Sequence, residues 1–364
     1  MNAAIFLPNW VGDVVMATPA IAALRKHFGQ ARFLGVVRPN LVGVIEGSPW
    51  FDELILPRGR DWTQGVASVA SQLRRARIDT AVLFTNSFRS AFTAFLGGCS
   101  RIVGYARDKR SWMLTYRLRP LRDESGRFLV APVIDAYNTL ALHLGTADPG
   151  YRMQVFTTPG DETRAQEFWT RHGWDGQRVV LLNPGAAYGA AKHWPTEHWA
   201  ELARRLVNEC DFKALVLCGP QDRTLARQIV AAARHPSVAS LADEEVSLGL
   251  TKACVRRGDL LVTTDSGPRH FAAALGRPVV TLFGPTHIGW TETYHPLAVH
   301  LQEQVDCGPC QLRTCPLDHR CMTQLSPATV LRAASAALAA ISSSSSSASR
   351  GLRPLPLREW RRGA

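Results

Sequence analysis

The chain has 364 residues, of which 46% are hydrophobic and 20% are charged, as in an ordinary globular protein. Its length predicts two domains, and it contains no apolar run near the ~18 residues of a membrane-spanning helix, which excludes an integral helical membrane protein. The formal net charge of +12 at pH 7 favours anionic partners such as nucleic acid, an acidic membrane surface or a phosphorylated substrate.

Strands alternate with helices in the first half of the chain. The apolar N-terminus is interpreted as a strand and helix rather than a signal peptide, because it lacks a basic flank and carries Asp13, so we expect a cytoplasmic protein. The predicted strands are 3–7, 32–37, 52–56, 80–84 and 101–104, and the predicted helices are 13–28, 40–47, 63–77, 88–97 and 133–144. This alternation predicts a parallel, doubly wound sheet.

The second half repeats the scheme after a linker within 145–158. Its predicted strands are 178–183, 213–218, 237–241, 259–263 and 278–283, and its predicted helices are 161–172, 196–209, 222–233, 246–257, 268–275 and about 326–341. We therefore predict an α/β protein with two Rossmann-like domains, 1–150 and 151–341, that face one cleft. The serine tract and basic tail, 342–364, are expected to be disordered.

A glycine-containing turn follows one strand in each half. The first turn, 9–13, carries Gly12 and Asp13, and the second, 264–270, carries Asp265 and Gly267. A turn between a parallel strand and a helix leaves free N–H groups that bind anions. Asp13 alone would be interpreted as a capping residue of its helix. In a cleft, its carboxylate is instead well placed to take a proton from a hydroxyl.

Other polar residues are predicted at the same edge of the second sheet. Lys192 closes a glycine-rich loop before a helix, where a lysine can bind phosphate, although most lysines are surface groups. Asp222 follows a Cys-Gly-Pro turn and is a candidate for binding ribose hydroxyls. Ser266 and Gly267 supply the helix N-terminus, while His270 is either a phosphate ligand or a buried packing histidine.

The segment 99–127 is rich in arginine and lysine with interleaved aromatic residues. It is either a solvated loop or a cover over an acidic acceptor. The candidate acceptor-binding residues are Arg58, Arg60, Arg89, Lys109 and Arg110. This segment and the arginine-rich tail also predict attraction to an anionic membrane surface.

Four cysteines cluster near the C-terminal end of the folded part. Cys307, Cys310, Cys315 and Cys321 have a spacing that resembles a metal knuckle but lacks the paired arrangement of most zinc sites. A structural metal and reduced, unligated thiols both remain open. Neither glycine turn is accompanied by a cluster of carboxylates that would hold magnesium, so we expect no catalytic metal and no cofactor.

With these features the chain resembles glycosyltransferase family 9, the ADP-heptose:lipopolysaccharide heptosyltransferases. The form of the first turn is most similar to the heptosyltransferase II type, and the resemblance covers roughly 3–340. The matching segments are 10–19 (WVGDVVMATP), 183–186 (NPGA), 192–195 (KHWP), 265–276 (DSGPRHFAAALG), 282–286 (LFGPT) and the cysteine segment 307–322.

The resemblance implies a GT-B fold and an inverting transfer of heptose to the lipopolysaccharide inner core at the inner membrane. The N-terminal domain would take a lipid A-Kdo type acceptor and the C-terminal domain ADP-heptose. Asp13 would be the general base, Lys192 would hold the diphosphate, and Asp222 would lie near the ribose. The segment from Asp265 to His270 would line the donor site.

Two other classes of function were weighed against this one. A basic protein with a cysteine-rich loop could bind nucleic acid, but that function has no use for two acid-bearing turns, so we expect no nucleic-acid partner. A steep salt dependence of DNA binding would favour it, whereas stabilisation by ADP would oppose it. A Rossmann oxidoreductase is disfavoured because the first turn lacks the G-x-G-x-x-G pattern.

Overall fold

A computed structural model describes residues 2–59 and 61–344, with side chains described up to residue 339. The N-terminal half forms a parallel six-stranded sheet in the order β3-β2-β1-β4-β5-β6. Its strands are β1 Ala3–Phe6, β2 Phe33–Val36, β3 Glu53–Ile55, β4 Thr80–Leu83, β5 Arg101–Tyr105 and β6 Tyr116–Leu118. Its helices are α1 Val11–Met16, α2 Thr18–Phe28, α3 Val42–Ile45, α4 Trp62–Arg75, α5 Phe88–Leu96 and α6 Val133–His143.

The C-terminal half forms a second parallel six-stranded sheet, in the order β12-β11-β10-β7-β8-β9. Its strands are β7 Val179–Asn183, β8 Lys213–Val216, β9 Val238–Ser240, β10 Leu260–Thr264, β11 Val279–Phe283 and β12 Ala298–Gln302. Its helices are α7 Pro159–Arg171, α8 Thr196–Cys210, α9 Arg223–Ala233, α10 Leu248–Arg257, α11 Gly267–Ala274, α12 Arg320–Thr323 and α13 Pro327–Ser344. Within the described ranges, no helix is both long and apolar enough to cross a membrane.

The central strands are buried on both faces, which explains their continuous apolar sequences. Every residue of β1, β4, β7, β10 and β11 is buried between helices. In register, Ile5 of β1 lies between Gly35 of β2 and Val82 of β4. The predicted α/β fold with two doubly wound sheets is therefore confirmed.

Three details of the predicted elements differ in the structure. Strands β6 and β12 were not predicted, because each is a half-exposed edge strand without an apolar run. The predicted helix 13–28 is two helices that meet at Ala17, because Pro19 has no N–H to offer the carbonyl of Val15. The hydroxyl of Thr18 donates to that carbonyl at 2.6 Å. Helix α13 extends to Ser344, and the remainder of the predicted tail lies outside the described residues.

Buried and aromatic contacts join the two domains beside the segment 145–158. The ammonium of Lys252, on α10, donates to the carbonyl oxygens of Glu46 and Phe156. The hydroxyl of Tyr294 donates to Asp135 Oδ2 at 2.9 Å, and its ring packs on Tyr151. These contacts set the distance between the carboxyl edges of the two sheets.

Candidate active site

The two glycine turns lie directly against each other where the domains meet. A Cβ atom on Gly12 would lie 2.6 Å from Cδ2 of His270, and one on Gly267 would lie 2.7 Å from Cβ of Val11. Each turn therefore requires glycine so that the other domain can approach. Residues that are more than 250 positions apart in the chain thus form one site.

A cavity of about 730 Å³ opens beside this contact. It lies between the carboxyl edges of the two sheets, where parallel α/β proteins bind ligands. Its lining includes Trp10, Gly12, Asp13, Asn40, Gly185, Tyr188, Lys192, Gln221, Asp222, Ser247, Asp265, Ser266, Gly267, His270 and Thr291. All seven predicted catalytic and donor-site residues line this one cavity.

Asp13 lies in the cavity wall at the third position of α1. Its carboxylate accepts no hydrogen bond within the described part of the chain, and Trp10, the N-cap residue of α1, makes no side-chain capping bond. Burial and the nearby charge of Asp265 raise the pKa of Asp13 to about 6, and the charge of Lys192 partly opposes this rise. Asp13 is therefore ionised at neutral pH but is a stronger base than an ordinary aspartate.

Asp265 is buried at the centre of a hydrogen-bonded cluster. Its Oδ2 accepts from Lys192 Nζ at 2.5 Å and from the hydroxyl of Thr286 at 2.7 Å. Its Oδ1 accepts from Arg269 Nη1 at 3.2 Å and from the hydroxyl of Thr291 at 3.4 Å. Although burial alone would raise the pKa of Asp265, the charges of Lys192 and Arg269 hold it well below its usual value. Two cations share one carboxylate, so the three side chains together carry one net positive charge.

Arg269→Met is expected to lower the free energy of unfolding by about 3 kcal/mol, because it removes one partner of a buried ion pair. The side chain of Arg269 is 2% exposed and also donates to Thr291. Urea unfolding measures the loss. The control is Arg205→Met, which breaks another (i,i+4) arginine–acid pair, with Glu209, on an exposed helix surface and should change little. Equal effects of the two substitutions would contradict a special role for the Asp265 cluster.

The N-terminus of α11 faces the same cavity. Ser266 is its N-cap but makes no capping bond, and its hydroxyl instead accepts from the amide of Asn183 at 2.9 Å. His270 is buried, and its Nδ1 has no hydrogen-bond partner among the described residues. Burial, followed by the charge of Arg269, lowers the pKa of His270, so the ring is neutral at pH 7. The helix end thus offers amide groups and a neutral imidazole to an anion.

Asp222 also lines the cavity. It is the N-cap residue of α9 without a side-chain capping bond. A Cβ atom on Gly185 would clash with its carboxylate, and one on Gly219 would lie 3.3 Å from its Oδ2. The two glycines bring the backbone close to this carboxylate while leaving it open to the cavity.

The predicted acceptor-binding residues that the structure describes lie outside this cavity, on the N-terminal domain. Arg58, Arg89 and Lys109 are exposed and follow the carboxyl ends of β3, β4 and β5. They therefore lie on the cleft side of the N-terminal sheet. Arg60 falls outside the described residues.

Arg110 differs from this prediction because it is fully buried. Its guanidinium donates to the carbonyl oxygens of Tyr105 at 3.0 Å and Thr85 at 2.6 Å, and to Asn86 Oδ1 at 3.1 Å. Burial lowers its pKa to about 10. Arg110 thus ties the loops after β4 and β5 together, and its burial keeps it from the surface at which an acceptor would bind.

The cysteine segment packs on the loop that carries Lys192, a contact that its sequence position did not indicate. The amide of Ala191 donates to the carbonyl of Arg313 at 3.0 Å, and the hydroxyl of Tyr188 donates to the carbonyl of Gln311 at 2.5 Å. The ring of Tyr188 lies 4.8 Å from Lys192 Nζ. The segment therefore supports the position of Lys192.

The thiols of this segment are unpaired. The four cysteines are free, and within the described part of the chain no three His, Cys, Asp or Glu side chains are arranged to hold a metal ion. Burial, with smaller contributions from the other three thiols, raises the pKa of Cys321 to about 11.

Three members of the Asp265 cluster were given no role of their own in the sequence-based prediction. Arg269 was included only within the segment from Asp265 to His270, and Thr286 was noted only within a matching segment. Thr291 gave no sequence signal, because it lies in a loop after β11 and reaches Asp265 only through the tertiary fold. An arginine four residues after an aspartate on a helix was the one local sign of this ion pair.

Comparison with known proteins identifies the family. The model of glycosyltransferase family 9 (heptosyltransferase) matches residues 66–320. The chain is 26% identical to lipooligosaccharide heptosyltransferase 2 of Campylobacter jejuni, over 92% of this chain and 97% of that protein. It is 29% identical to lipopolysaccharide heptosyltransferase 2 of Escherichia coli, over 80% and 85%.

Solved structures of this fold are also similar. The structure of E. coli ADP-heptose lipopolysaccharide heptosyltransferase II superposes with a TM-score of 0.75 at 24% identity, over 94% of this chain and all of that one. A family 9 glycosyltransferase of Veillonella parvula gives a TM-score of 0.79 at 24% identity, over 93% and 97%. The fold is thus GT-B, which favours an enzyme over the nucleic-acid-binding alternative. The chain belongs to glycosyltransferase family 9 and is a glycosyltransferase.

Proposed function

We propose that this enzyme transfers a heptose from ADP-heptose to the inner core of lipopolysaccharide with inversion at the anomeric carbon. The observation that carries this proposal is that Asp13 of one domain and the Lys192–Asp265 pair of the other line one cavity. Residues 1–150 would bind the lipid A-Kdo type acceptor and residues 151–341 the nucleotide sugar. The E. coli and C. jejuni relatives bear names that agree with this reaction.

In the proposed step, the Asp13 carboxylate accepts the proton of an acceptor hydroxyl. The hydroxyl oxygen forms a bond to the anomeric carbon, and the bond from that carbon to the diphosphate oxygen breaks. The electron pair of the broken bond leaves with ADP. Because attack and departure occur on opposite faces in a single displacement, the configuration inverts. Asp13 suits the base, since its pKa of about 6 keeps it ionised at neutral pH while strengthening its basicity.

The developing charge on ADP would be met by groups of the C-terminal domain. Lys192 Nζ and the N-terminus of α11, with Ser266 and Gly267, face the cavity. His270, being neutral, would donate a hydrogen bond without adding charge. Asp222, which also lines the cavity, would accept from ribose hydroxyls. Asp265 would act through Lys192, which it holds by two hydrogen bonds.

The acceptor would carry acidic sugars, which fits the basic cleft side of the N-terminal domain. Arg58, Arg89 and Lys109 are exposed there, and Arg60 is retained as a sequence-based candidate. A lipid-linked acceptor also places the enzyme at the cytoplasmic face of the inner membrane as a peripheral protein. The positive charge of the chain supports attraction to that anionic surface.

A transfer assay tests the proposal. The purified protein is incubated with ADP-heptose and a lipid A-Kdo acceptor that already carries the first heptose, and with the same acceptor lacking it. Mass spectrometry detects the added heptose, and NMR coupling constants give its anomeric configuration. Retention of configuration would contradict a single displacement, and transfer only from another nucleotide sugar would contradict the donor.

The reaction is expected to continue in EDTA at an unchanged rate. Lys192 and the amides at the start of α11 supply positive charge at the departing diphosphate, a role that magnesium plays in other transferases. Initial rates with and without EDTA measure this. If a metal occupies the cysteine segment, a thiol-competing chelator should lower thermal stability before it lowers the rate per folded molecule. Immediate loss in EDTA that magnesium restores would contradict this prediction.

A further inference from the structure

Helix α5 carries an aromatic surface that the described part of the chain leaves exposed. Phe88 and Phe95 are 41% and 51% exposed, and Trp112, from the 3-10 turn Ser111–Met113, is 60% exposed. Phe92 lies partly buried between them, stacked on Phe88, and Trp112 packs edge-on against Phe95. We call these four residues the aromatic face.

The spacing of these residues makes the face continuous. Phe88, Phe92 and Phe95 recur at intervals of four and three, so they form one stripe along α5. Beside this stripe, Ala91 and Ala94 pack in the core. Large exposed aromatic groups that contact one another mark an interaction surface rather than scattered surface residues.

The charge around the aromatic face is strongly positive. Residues 86–127 contain nine arginines and lysines against three acidic residues. Arg89 is exposed on α5 itself, and the exposed Lys109 lies three residues before Trp112. Aromatic rings bordered by cations suit the interface of an anionic bilayer, where rings lie at the level of the head groups and cations contact phosphates.

The position of the face agrees with a membrane partner. Helix α5 begins after the carboxyl end of β4, which neighbours β1 in the sheet, and β1 leads into the turn that carries Asp13. The aromatic face therefore begins with Phe88 at the cleft side of the N-terminal domain and runs along α5 to Phe95, about 10 Å further from the cleft. A bilayer that contacts the face along its whole length would extend to the entrance used by a lipid-linked acceptor.

We propose that the aromatic face inserts into the interface of an anionic lipid bilayer and thereby holds the cleft at the membrane surface. Phe95 and Trp112 enter the head-group region, while the surrounding basic side chains contact lipid phosphates. This goes beyond attraction by net charge, because it assigns the contact to one surface and to apolar insertion. It rests on the proposed function only for the identity of the acceptor.

Vesicle co-sedimentation tests the proposal with the full-length chain. Wild type should bind vesicles of phosphatidylcholine and phosphatidylglycerol more tightly than vesicles of phosphatidylcholine alone. The double substitution Phe95→Ala, Trp112→Ala should weaken binding to the mixed vesicles at least about tenfold, since two aromatic groups no longer enter the bilayer interface. The control is Leu312→Ala, Leu317→Ala, which removes two exposed apolar side chains of the C-terminal domain and should leave binding unchanged.

Fluorescence provides a second measurement that does not depend on the double variant. The emission difference between wild type and Trp112→Phe isolates Trp112, and it should shift to shorter wavelength with mixed vesicles. Unchanged vesicle binding in the double variant, or an unshifted Trp112 signal, would overturn the proposal. So would loss of all binding on removal of residues 345–364, which would make the tail the anchor.

Two further outcomes name a different occupant. If the double substitution converts a dimer to a monomer in light scattering without changing vesicle binding, the face joins two copies of the chain. If it raises only the KM for a lipid acceptor in detergent, the face holds acyl chains. In that case, transfer to an acceptor without acyl chains should remain unchanged.

Failure of transfer in wild type, with vesicle binding still dependent on the aromatic face, would refute the proposed reaction but not the proposed membrane contact.

Discussion

Asp13→Asn is expected to leave the protein folded and able to bind ADP while slowing transfer at least ~100-fold, because a positioned general base contributes that much or more. Asparagine has the same shape but cannot accept the proton. The structure also separates this role from helix capping, since the carboxylate of Asp13 makes no capping bond. Single-turnover rates at saturating substrate measure the effect directly.

Asp161 provides a matched control. Like Asp13, it occupies the third position of its helix, but it forms a capping box in which Oδ2 accepts from the backbone N–H of Thr158 at 3.0 Å. Asp161→Asn should therefore lower stability and leave the rate per folded molecule unchanged. Comparable rate losses in the two variants would return Asp13 to a structural role.

The difference in free energy of unfolding between Asp13→Asn and wild type should depend on pH with a definite sign. The folded-state pKa of Asp13 is raised from 3.8 to about 6, so ionisation of Asp13 disfavours the folded state as pH rises through about 6. Asp13→Asn should consequently raise the free energy of unfolding by about 2–3 kcal/mol at pH 8, by the conversion of pKa shift to free energy, and by little below pH 4. Wild-type turnover should fall as the pH drops below about 6. If Asp13→Asn were less stable than wild type at pH 8, ionisation of Asp13 would not disfavour the folded state, and the prediction would be wrong.

The elements that could be predicted from the sequence are the strands that are buried on both faces of their sheet. Strands such as β1 and β10 are continuous apolar runs followed by glycine turns, so both the strand and the anion site after it were predicted. Strand β6 has two exposed residues of three and lies in an arginine-rich segment, so its sequence has the pattern of a loop. Edge strands with polar residues show little of the hydrophobic pattern from which strands are predicted.

The side-chain partners in the site depended on tertiary contacts that no spacing reveals. Lys192 and Asp265 are 73 residues apart, and their pairing follows from the parallel register of β7 and β10. Arg110 is a residue that its sequence context predicts to be exposed but that the structure buries. It lies in a basic run, yet left-handed backbone at Asp108 and Lys109 turns the chain so that its guanidinium enters the domain. Composition alone could not distinguish it from its exposed neighbours.

Lys192→Ala is expected to weaken ADP binding about 10- to 150-fold, which corresponds to the ~1.5–3 kcal/mol of a hydrogen bond to a charged group. Two effects act in the same direction. The substitution removes the cation that faces the diphosphate, and it uncovers Oδ2 of Asp265, to which Lys192 Nζ now donates at 2.5 Å. The uncovered carboxylate would repel the phosphates.

Comparing the affinities for ADP and adenosine distinguishes the loss of a phosphate contact from a change in pocket shape. Calorimetric titration of the variant with ADP and with adenosine should show a large loss for ADP and little change for adenosine, because only ADP carries the charge that Lys192 meets. Lys213→Ala is the control, since Lys213 lies on β8 in the same sheet, donates to Ser237 and does not line the cavity. It should alter neither affinity.

The size of the decrease in ADP affinity also depends on Arg269. Arg269 remains on Oδ1 of Asp265 when Lys192 is removed, so the carboxylate keeps one cation and the protein is expected to stay folded. Combining Arg269→Met with Lys192→Ala should remove that protection and weaken ADP binding further than Lys192→Ala alone. An equal loss for ADP and adenosine would assign Lys192 to shaping the pocket. Unchanged ADP affinity in Lys192→Ala would remove Lys192 from the donor site and leave the amides of α11 as its anion-binding groups.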